Sequence, residues 1–467
     1  MPEKLHFDID PARLPELVAI ALRGGGDWCD LFFEDTVYTT LLLRDGEVSS
    51  GGSHIDYGCG IRVLNGEKTG YAYAESTDWA SLVNAATAAS AIANGNSSYA
   101  QKSGIAPVLP VNPMKKDWRE TSADAFVPVL QAIESKIRAK DSRVHKVIAS
   151  LAWQVSEILM YNSLGETVRD TRPLGSIVVT TIFVQGDKSE IGNASRSFSI
   201  GAEMISDALI DELVEQAVKG IDERFEARRP KGGKMPVVMG AGASGILLHE
   251  AMGHAFEADF NRKGQSIFSG LMGKRVARKG IDIVDDGTIA GNRGFCRYDD
   301  EGTLGQKTYM VEDGILRSYL HDRISAKSFG VAPTGNGRRE SFRYNPIPRM
   351  RCTYMESGCD GRLEDIIAGV KKGIFVDQFS NGQVKIGEGD FTFYVKSGRL
   401  IENGRLTMPV KDINIVGNGP RALADIVAVA GDLKIDDGTW TCGKEQSVPV
   451  SCGIPSVLVK ELTVGGE

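Results

Sequence analysis

Two histidines and a glutamate lie within one six-residue stretch, HEAMGH (249–254). A catalytic zinc site uses three protein ligands, commonly histidine and cysteine, and leaves a fourth position to water. A carboxylate beside such a site can accept the proton of that water, whose pKa the metal lowers towards neutrality. The stretch therefore predicts a Zn²⁺ site with His249 and His254 as ligands and Glu250 as the catalytic base.

The spacing of the two histidines constrains the helix that carries them. Histidines four residues apart share one helical face, whereas five residues correspond to about 500° of rotation and leave the side chains roughly 140° apart. Both rings can reach one ion if the helix widens into an i→i+5 turn or ends near Gly253, where glycine tolerates a distortion. The alternative interpretation is that both histidines are core residues whose hydrogen bonds are satisfied inside the fold.

A third ligand has to come from outside this stretch. Glu257 and Asp259 lie close by in the sequence, while Cys442 and Cys452 lie far along the chain in TWTCGKEQSVPVSCG (439–453). A thiolate beside Gly443, in a loop between strands, could approach an ion freely, although a lone cysteine is commonly an apolar core residue. The residues alone leave all four candidates open.

Three glycines upstream of the histidines suggest a different kind of site. Gly240, Gly242 and Gly245 fit the G-x-G-x-x-G pattern of a dinucleotide-binding turn. That pattern also requires a βαβ unit and an acidic residue about 20 positions further on, and the following DFNRKGQSIFSG (259–270) contains no clear second strand. A tight turn where a helix packs closely on a strand is the favoured interpretation.

The elements that must position these side chains begin with an N-terminal region of mixed structure. Apolar residues recur with helical spacing over 12–23, 79–94, 122–139 and 202–226, with strand-like runs between them. Asp45-Gly46 and Asn65-Gly66 are hairpin signals. Residues 95–118 and 227–234 have the composition of linkers or surface loops. We expect a helix-and-antiparallel-sheet region over 1–230, as one unit or as two units at 1–95 and 119–230.

The remaining half of the chain contains one clear helix and many β-rich runs. Hairpin signals occur at Asp313-Gly314, Ser397-Gly398, Asn403-Gly404 and Asp437-Gly438. No regular strand–helix alternation appears, so a doubly wound parallel sheet is not expected. The pattern predicts an α+β protein whose C-terminal catalytic domain, 231–467, is mainly antiparallel β and carries the metal-binding helix.

Composition narrows the possible partners and surroundings. The chain of 467 residues has 54 basic and 61 acidic residues, a net charge of −7, and 42% hydrophobic residues. An acidic balance argues against nucleic acid as a partner, because phosphate binding needs a basic face. The longest near-apolar run, 235–248, is too short to cross a membrane. Seven cysteines without a recognisable signal peptide favour reduced thiols in the cytoplasm.

Several longer stretches have a distinctive sequence: HEAMGHAFEAD (249–259), DDGT (285–288), PTGNGRRESFRYNPIPRM (333–350), GIFVDQF (373–379), YVKSGRLIENGRLTMPVKD (394–412) and the C-terminal LKIDDGTWTCGKEQSVPVSCGIPSVLVKELTVGG (433–466). Together they resemble the TldD/PmbA family of metallopeptidases, and its TldD branch in particular. The resemblance implies a zinc peptidase with His249, His254 and Cys442 as ligands and Glu250 as the base.

The same resemblance implies how such a peptidase is assembled. Family members form dimers, either of one chain or of a zinc-bearing chain with a PmbA-like relative that lacks the zinc motif. Their active site lies in a closed chamber that admits unfolded peptides, where extended substrate can pair with strand edges. The cationic run GNGRRESFR (335–343) could bind substrate or could form a structural ion-pair cluster.

Two other functions are compatible with the same residues. One is a non-catalytic peptide-binding or modulator protein, with the metal absent or held in a closed site by a fourth ligand such as Cys452 or Glu257. The other is a small-molecule amidohydrolase that uses the same two histidines and cysteine.

Overall fold

The computed structural model describes residues 7–93, 114–242, 244–385 and 388–466, so the predicted linker at 95–118 lies outside the described residues up to position 113. The N-terminal region contains six strands: β1 Trp28–Arg44, β2 Glu47–Asn65, β3 Lys68–Ala74, β4 Val144–Asn162, β5 Thr167–Gln185 and β6 Lys188–Phe198. They pair antiparallel in the order β3-β2-β1-β4-β5-β6. Two three-stranded meanders therefore meet along β1 and β4.

The predicted turn residues connect these strands as hairpins. Asp45 and Gly46 both have positive φ, 49° and 79°, which is the backbone that a two-residue turn needs to match the twist of its strands. Gly66, with φ 61°, begins the connection between β2 and β3. Both N-terminal hairpin predictions are confirmed.

Helices cover one face of this sheet, and the C-terminal region packs on the other. The helices are α1 Leu14–Ala21, α2 Trp79–Ala93, α3 Val127–Lys140, α4 Asp207–Val218 and α5 Ile221–Glu226. Successive strand residues point to opposite faces, so Leu31 and Phe33 lie in the core beneath the helices. Phe32 points the other way and packs against Phe342 of the C-terminal region.

The C-terminal region contains two larger sheets and two short hairpins. Its strands are β7 Gly233–Met239, β8 Ile283–Asp286, β9 Lys307–Glu312, β10 Ile315–Leu316, β11 Gly337–Arg338, β12 Ile347–Pro348, β13 Cys352–Met355, β14 Lys372–Lys385, β15 Asp390–Glu402, β16 Arg405–Val410, β17 Asn414–Asn418, β18 Ile426–Val429, β19 Lys434–Asp436, β20 Thr441–Lys444, β21 Gln446–Pro449, β22 Ser451–Ile454 and β23 Val457–Val464. Its helices are α6 Gly245–Ala251, α7 Ala258–Arg262, α8 Arg323–Phe329, α9 Leu363–Ala368 and α10 Gly419–Ala424. Across the described ranges, no helix has the length and apolar character needed to span a membrane.

Most pairs in these sheets are antiparallel. One sheet has the order β10-β9-β8-β13-β22-β19, and the other has the order β14-β7-β23-β17-β15-β16 with β18 beside β23. Only β7–β14 and β13–β22 are parallel among the described pairs. The predicted α+β class, with a mainly antiparallel C-terminal part, is confirmed. The boundaries 1–230 and 231–467 stay a prediction.

Two of the C-terminal hairpin predictions are wrong. Ser397-Gly398 lies inside β15, where a Cβ on Gly398 would come within 2.5 Å of the Phe375 carbonyl oxygen, so this glycine permits close approach of strands rather than a turn. Asp437-Gly438 joins β19 to β20, which pair with different strands. Asp313-Gly314 and Asn403-Gly404 both have paired positive φ values and connect neighbouring strands.

The glycines before the histidine stretch place α6 directly on the sheet. Gly242 has φ 94° in the turn that follows β7. A Cβ on Gly245 would lie 2.7 Å from the Gly453 nitrogen of β22, so the first turn of α6 touches a strand backbone. The next strand, β8, belongs to the other sheet. The segment is therefore not a βαβ unit, and its glycines serve the packing of a helix.

Replacement of Gly245 by alanine is expected to destabilise the C-terminal region by about 1–3 kcal/mol, because the added methyl group has to push α6 away from β22. The thermal unfolding midpoint measured by calorimetry should fall by several degrees. Gly52→Ala is the matched control, since a Cβ there meets nothing within 4 Å. Equal midpoints for the two variants would contradict the close approach.

Candidate metal centre

The two histidines lie on either side of a break in the helix. His249 is in the last turn of α6, which ends at Ala251. Met252 has φ −133° and ψ −40°, and a 3₁₀ turn over Gly253–Phe256 then carries His254. Of the two arrangements expected from the five-residue spacing, the structure has the second, a helix that ends near Gly253. The ring centroids of the two histidines lie 5.3 Å apart at an interplanar angle of 79°.

Gly253 is required here for space rather than for an unusual backbone. A Cβ at this position would lie 2.2 Å from the Met350 sulfur. With a side chain at residue 253, either the 3₁₀ turn or the end of the Met350 side chain would have to move.

Cys442 reaches the two histidines from the other end of the domain. It lies on β20, which forms a hairpin with β21, and its Sγ is 3.3 Å from His254 Nε2. One ligand atom from each of His249, His254 and Cys442 lies within 4.8 Å of the others, and all three residues are buried. Two imidazole nitrogens and a sulfur are a donor set that zinc prefers.

His249 distinguishes this cluster from a satisfied core. The residue is only 1% exposed, yet neither ring nitrogen has a hydrogen-bond partner among the described residues. A buried polar group without a partner costs free energy. A metal ion held jointly with His254 and Cys442 would give one of these nitrogens its partner, so the residues present fit the ion.

The charges of the cluster are those of a thiolate beside a cation. Burial alone would raise the pKa of the Cys442 thiol, but the neighbouring His249 and His254 rings lower it to about 4. Burial alone would lower the pKa of His254, but the Glu257 carboxylate and Cys442 raise it to about 10. The sulfur is therefore in the form that binds metal.

Glu257 holds the His254 ring from behind. Its Oε2 is 2.9 Å from His254 Nδ1, and the residue is fully buried. Burial would raise its pKa, but Lys444, His254 and Arg349 lower it to about 2. An ionised Glu257 accepts the Nδ1 proton and directs Nε2 towards Cys442, as carboxylates commonly do behind metal-binding histidines.

Two cations that the sequence analysis did not single out tie the Cys442 hairpin to this carboxylate. Lys444 donates to Glu257 at 3.0 Å and to Asp259 at 2.8 Å. Arg349 donates to the carbonyl oxygens of Cys442 at 2.6 Å and Gln446 at 2.7 Å, with its Nε 3.8 Å from Glu257. Nothing in their spacing links these residues to the histidines, since they meet only in the folded chain.

The other residues considered as ligands have different partners. Asp259 is bound by Lys444, and Glu257 is directed at the far side of His254. Cys452 lies on β22 in the apolar core, where burial raises the pKa of its thiol well above the usual value. Of the four candidates for the third ligand, Cys442 is therefore the one that lies beside both histidines.

Glu250 is the accessible member of the site. Its Oε2 lies 4.0 Å from His254 Nε2, and its side chain is 26% exposed, whereas the side chain of His254 is 5% exposed. The Glu250 carboxylate is thus in contact with solvent, whereas the side chains of the two histidines and Cys442 are buried.

The cationic run at 335–343 has mixed surroundings. Arg339 is buried and pairs with Asp30 of the N-terminal sheet at 3.4 Å, and Arg343 pairs with Asp56 and Glu75. For these two residues the structural ion-pair interpretation is the one the contacts bear out.

The sequence is similar to those of one family of metallopeptidases along most of its length. Family models match residues 29–93, 116–221 and 232–466 as domain 1, the central domain and the C-terminal domain of PmbA/TldA metallopeptidases. A metalloprotease TldD homologue of Haemophilus influenzae is 38% identical over 94% of this chain and 93% of its own length. The chain belongs to the PmbA/TldD family, as its motifs indicated.

More distant relatives agree with this assignment. A protein of Saccharolobus solfataricus named zinc metalloprotease TldD homologue is 34% identical over 55% of this chain and 57% of its own length. The crystal structure of TldE from Thermococcus kodakarensis superposes with a TM-score of 0.74 over 97% of this chain and 99% of that chain. At 19% identity, that likeness concerns the fold.

Replacement of Glu257 by glutamine is expected to lower zinc affinity about 10- to 100-fold, because the amide supports the His254 ring less strongly than the ionised carboxylate does. The affinity is measured by competition with a chromogenic chelator. Asp259→Asn is the matched control, since Asp259 shares Lys444 but does not contact His254. If both variants bind zinc as the parent does, Glu257 does not support a metal ligand.

Proposed function

We propose that this protein is a zinc-dependent peptidase of the HExxxH type, with His249, His254 and Cys442 as zinc ligands, Glu250 as the catalytic base and 231–467 as the catalytic domain. The observation that carries the proposal is His249, buried beside His254 and Cys442 with both ring nitrogens lacking a hydrogen-bond partner among the described residues. Relatives of this chain are named metalloproteases, which supports the same class of activity.

The donor set favours a catalytic rather than a structural metal. A structural zinc site is closed by four protein ligands, whereas a catalytic site has three and leaves one position open. The cluster in the described chain has three members. Glu257 and Cys452, the residues that could have closed it, are engaged behind His254 and in the apolar core.

Zn²⁺, when bound, supplies Lewis-acid chemistry that lowers the pKa of a water molecule and polarises a carbonyl oxygen. Glu250, whose carboxylate lies 4.0 Å from His254 Nε2, would accept a proton from the water molecule. The water oxygen attacks the peptide carbonyl carbon at the same time. The same carboxyl group then delivers the proton to the amine nitrogen as the carbon–nitrogen bond breaks. With zinc bound, the buried Glu257 would accept the Nδ1 proton of His254, and Nε2 would be the nitrogen that binds the metal.

Extended or unfolded peptides are the proposed substrates. His249, His254 and Cys442 are only 1%, 4% and 3% exposed, so a peptide bond inside a compact folded domain could not approach them. We propose further that the enzyme acts in the cytoplasm, in a chamber formed by a dimer, either of this chain or with a PmbA-like relative. The fold shared with TldE is compatible with a relative of similar shape as the second subunit.

Glu250→Gln is expected to lower the turnover of an unstructured peptide mixture by about 10²–10⁴-fold, because the amide cannot accept the proton of the attacking water. Zinc content and thermal midpoint should stay at the parental values, since Glu250 is partly exposed and is not a ligand in this account. Glu47→Gln, an exposed change at the β1–β2 hairpin, is the matched control.

Turnover is followed by mass spectrometry of the peptide products, in parallel with hydrolysis of formylated amino acids. Unchanged peptide cleavage by Glu250→Gln would contradict the mechanism. Hydrolysis of formylated amino acids with no cleavage of peptides would identify a small-molecule amidohydrolase instead.

A further inference from the structure

A cavity lies where the N-terminal sheet meets the C-terminal region. Its volume is about 320 Å³. Phe32 and Ile158, from the sheet face opposite the helices, form one wall, and Arg338 and Pro449 belong to the other. None of the three proposed zinc ligands lines it, so this cavity is separate from the metal cluster.

The lining carries more positive than negative charge. Among the described lining residues there are six arginines and four carboxylates: Arg172, Arg293, Arg297, Arg338, Arg339 and Arg351, with Glu34, Asp170, Asp300 and Glu340. Arg172 is balanced by Asp170 and Asp300, and Arg339 is paired with Asp30. Burial raises the pKa of Glu34 to about 7, which reduces its negative charge near neutral pH.

Three of these arginines lack an ionic partner in the described chain. Arg338 donates to the carbonyl oxygens of Met350 at 2.6 Å and Pro449 at 2.8 Å. Arg351 donates through Nε to the Gly335 carbonyl oxygen at 2.9 Å. Arg293 donates to the Trp440 carbonyl oxygen and to serine and threonine hydroxyls. Among the described residues, the direct partners of these guanidinium groups are therefore uncharged oxygens, while the carboxylates of Asp299 and Asp300 act on Arg351 from beyond ion-pair distance.

Such an arrangement costs free energy in the ligand-free protein. Arg338 and Arg351 are only 6% and 5% exposed, and removing a cation from water without a counter-charge in direct contact is unfavourable. Burial and the nearby Arg351 lower the pKa of Arg338 to about 9. An anion bound beside these groups would lower this cost, and an arginine can bind a carboxylate through two parallel hydrogen bonds.

The position of the cavity links it to the metal centre. Arg293 contacts the Trp440 carbonyl oxygen and the Thr441 hydroxyl, the two residues before Cys442. Pro449 pairs with Thr441 across the β20–β21 hairpin, next to the Cys442–Val448 pair. The base of the hairpin that carries Cys442 is therefore also a wall of the cavity. On this hairpin, Pro449, which lines the cavity, is the neighbour of Val448, the residue paired with Cys442.

We propose that this arginine cavity, with Arg293, Arg338 and Arg351 as its cationic residues, binds a carboxylate of the peptide substrate. The enzyme then prefers peptides that carry a carboxylate a few residues from the bond that is cleaved. That carboxylate is either the free C-terminus of the peptide or the side chain of an aspartate or glutamate. This inference rests on the proposed peptidase function for the nature of the ligand, but the cavity and its charges do not depend on it.

Calorimetric titration of the zinc-loaded, full-length chain tests the proposal without requiring turnover. The probes are three N-acetylated tetrapeptides. Two are tetra-alanine, as the free acid and as the C-terminal amide, and the third is Ala-Ala-Ala-Asp as the C-terminal amide. The Glu250→Gln variant is used as the parent so that no probe is consumed. We expect at least one of the two carboxylate probes to bind about tenfold more tightly than the uncharged amide. The probe that does so identifies the source of the carboxylate.

A charge-removing variant then assigns the preference to the cavity. Arg351→Gln should remove most of the tenfold preference while the affinity for the uncharged amide stays unchanged, and Arg351→Lys should retain part of it. Arg405→Gln, the same charge change at an exposed position on β16, should retain all of it. Thermal midpoints of all variants verify folding.

Equal binding of all three probes by the parent would overturn the proposal, and so would a preference that survives Arg351→Gln. Failure of the proposed function has a different signature. In that case the carboxylate preference and its loss in Arg351→Gln persist, while the unmodified enzyme cleaves none of the three peptides.

Discussion

The buried carboxylate of Glu257 joins the two chain segments that build the metal centre. It accepts a hydrogen bond from His254 Nδ1 in its own segment and pairs with the ammonium group of Lys444 in the distant hairpin. A fully buried carboxylate without such partners would be strongly unfavourable, whereas here it is shared by three cationic groups. The carboxylate that orients His254 therefore also holds β20, and with it Cys442, beside the histidines.

The fold supports this junction from several sides. Gly245 lets α6 start on the backbone of β22, and Gly253 lets the 3₁₀ turn lie against Met350. Arg349 donates hydrogen bonds to two carbonyl oxygens of the β20–β21 hairpin, which carries Cys442. The metal-binding side chains thus depend on close backbone packing between a short broken helix and strands from remote parts of the chain. Even the N-terminal sheet contributes, because its outer face closes the arginine cavity behind the same hairpin.

Local features of the site and fold could be predicted from the sequence. The five-residue spacing of His249 and His254 required either a widened turn or a helix that ends near Gly253, and the α+β class followed from the periodicity. The paired positive φ values at Asp45-Gly46 followed from turn chemistry. The same reasoning failed at Ser397-Gly398, where the glycine allows the Phe375 backbone to approach closely. Residue types alone could not choose Cys442 over Cys452, because that choice depends on which strand lies beside the histidines. Arg349 and Lys444 were missed for the same reason.

The proposed mechanism requires one metal ion held by His249, His254 and Cys442. The decisive measurement is the metal content, by mass spectrometry, of the purified parent, Cys442→Ala and Cys452→Ala proteins. We expect about one zinc ion per chain in the parent and in Cys452→Ala, and a loss of most of the zinc in Cys442→Ala with the fold retained. Full zinc content in Cys442→Ala, or no zinc in the parent after growth and purification with zinc present, would contradict it.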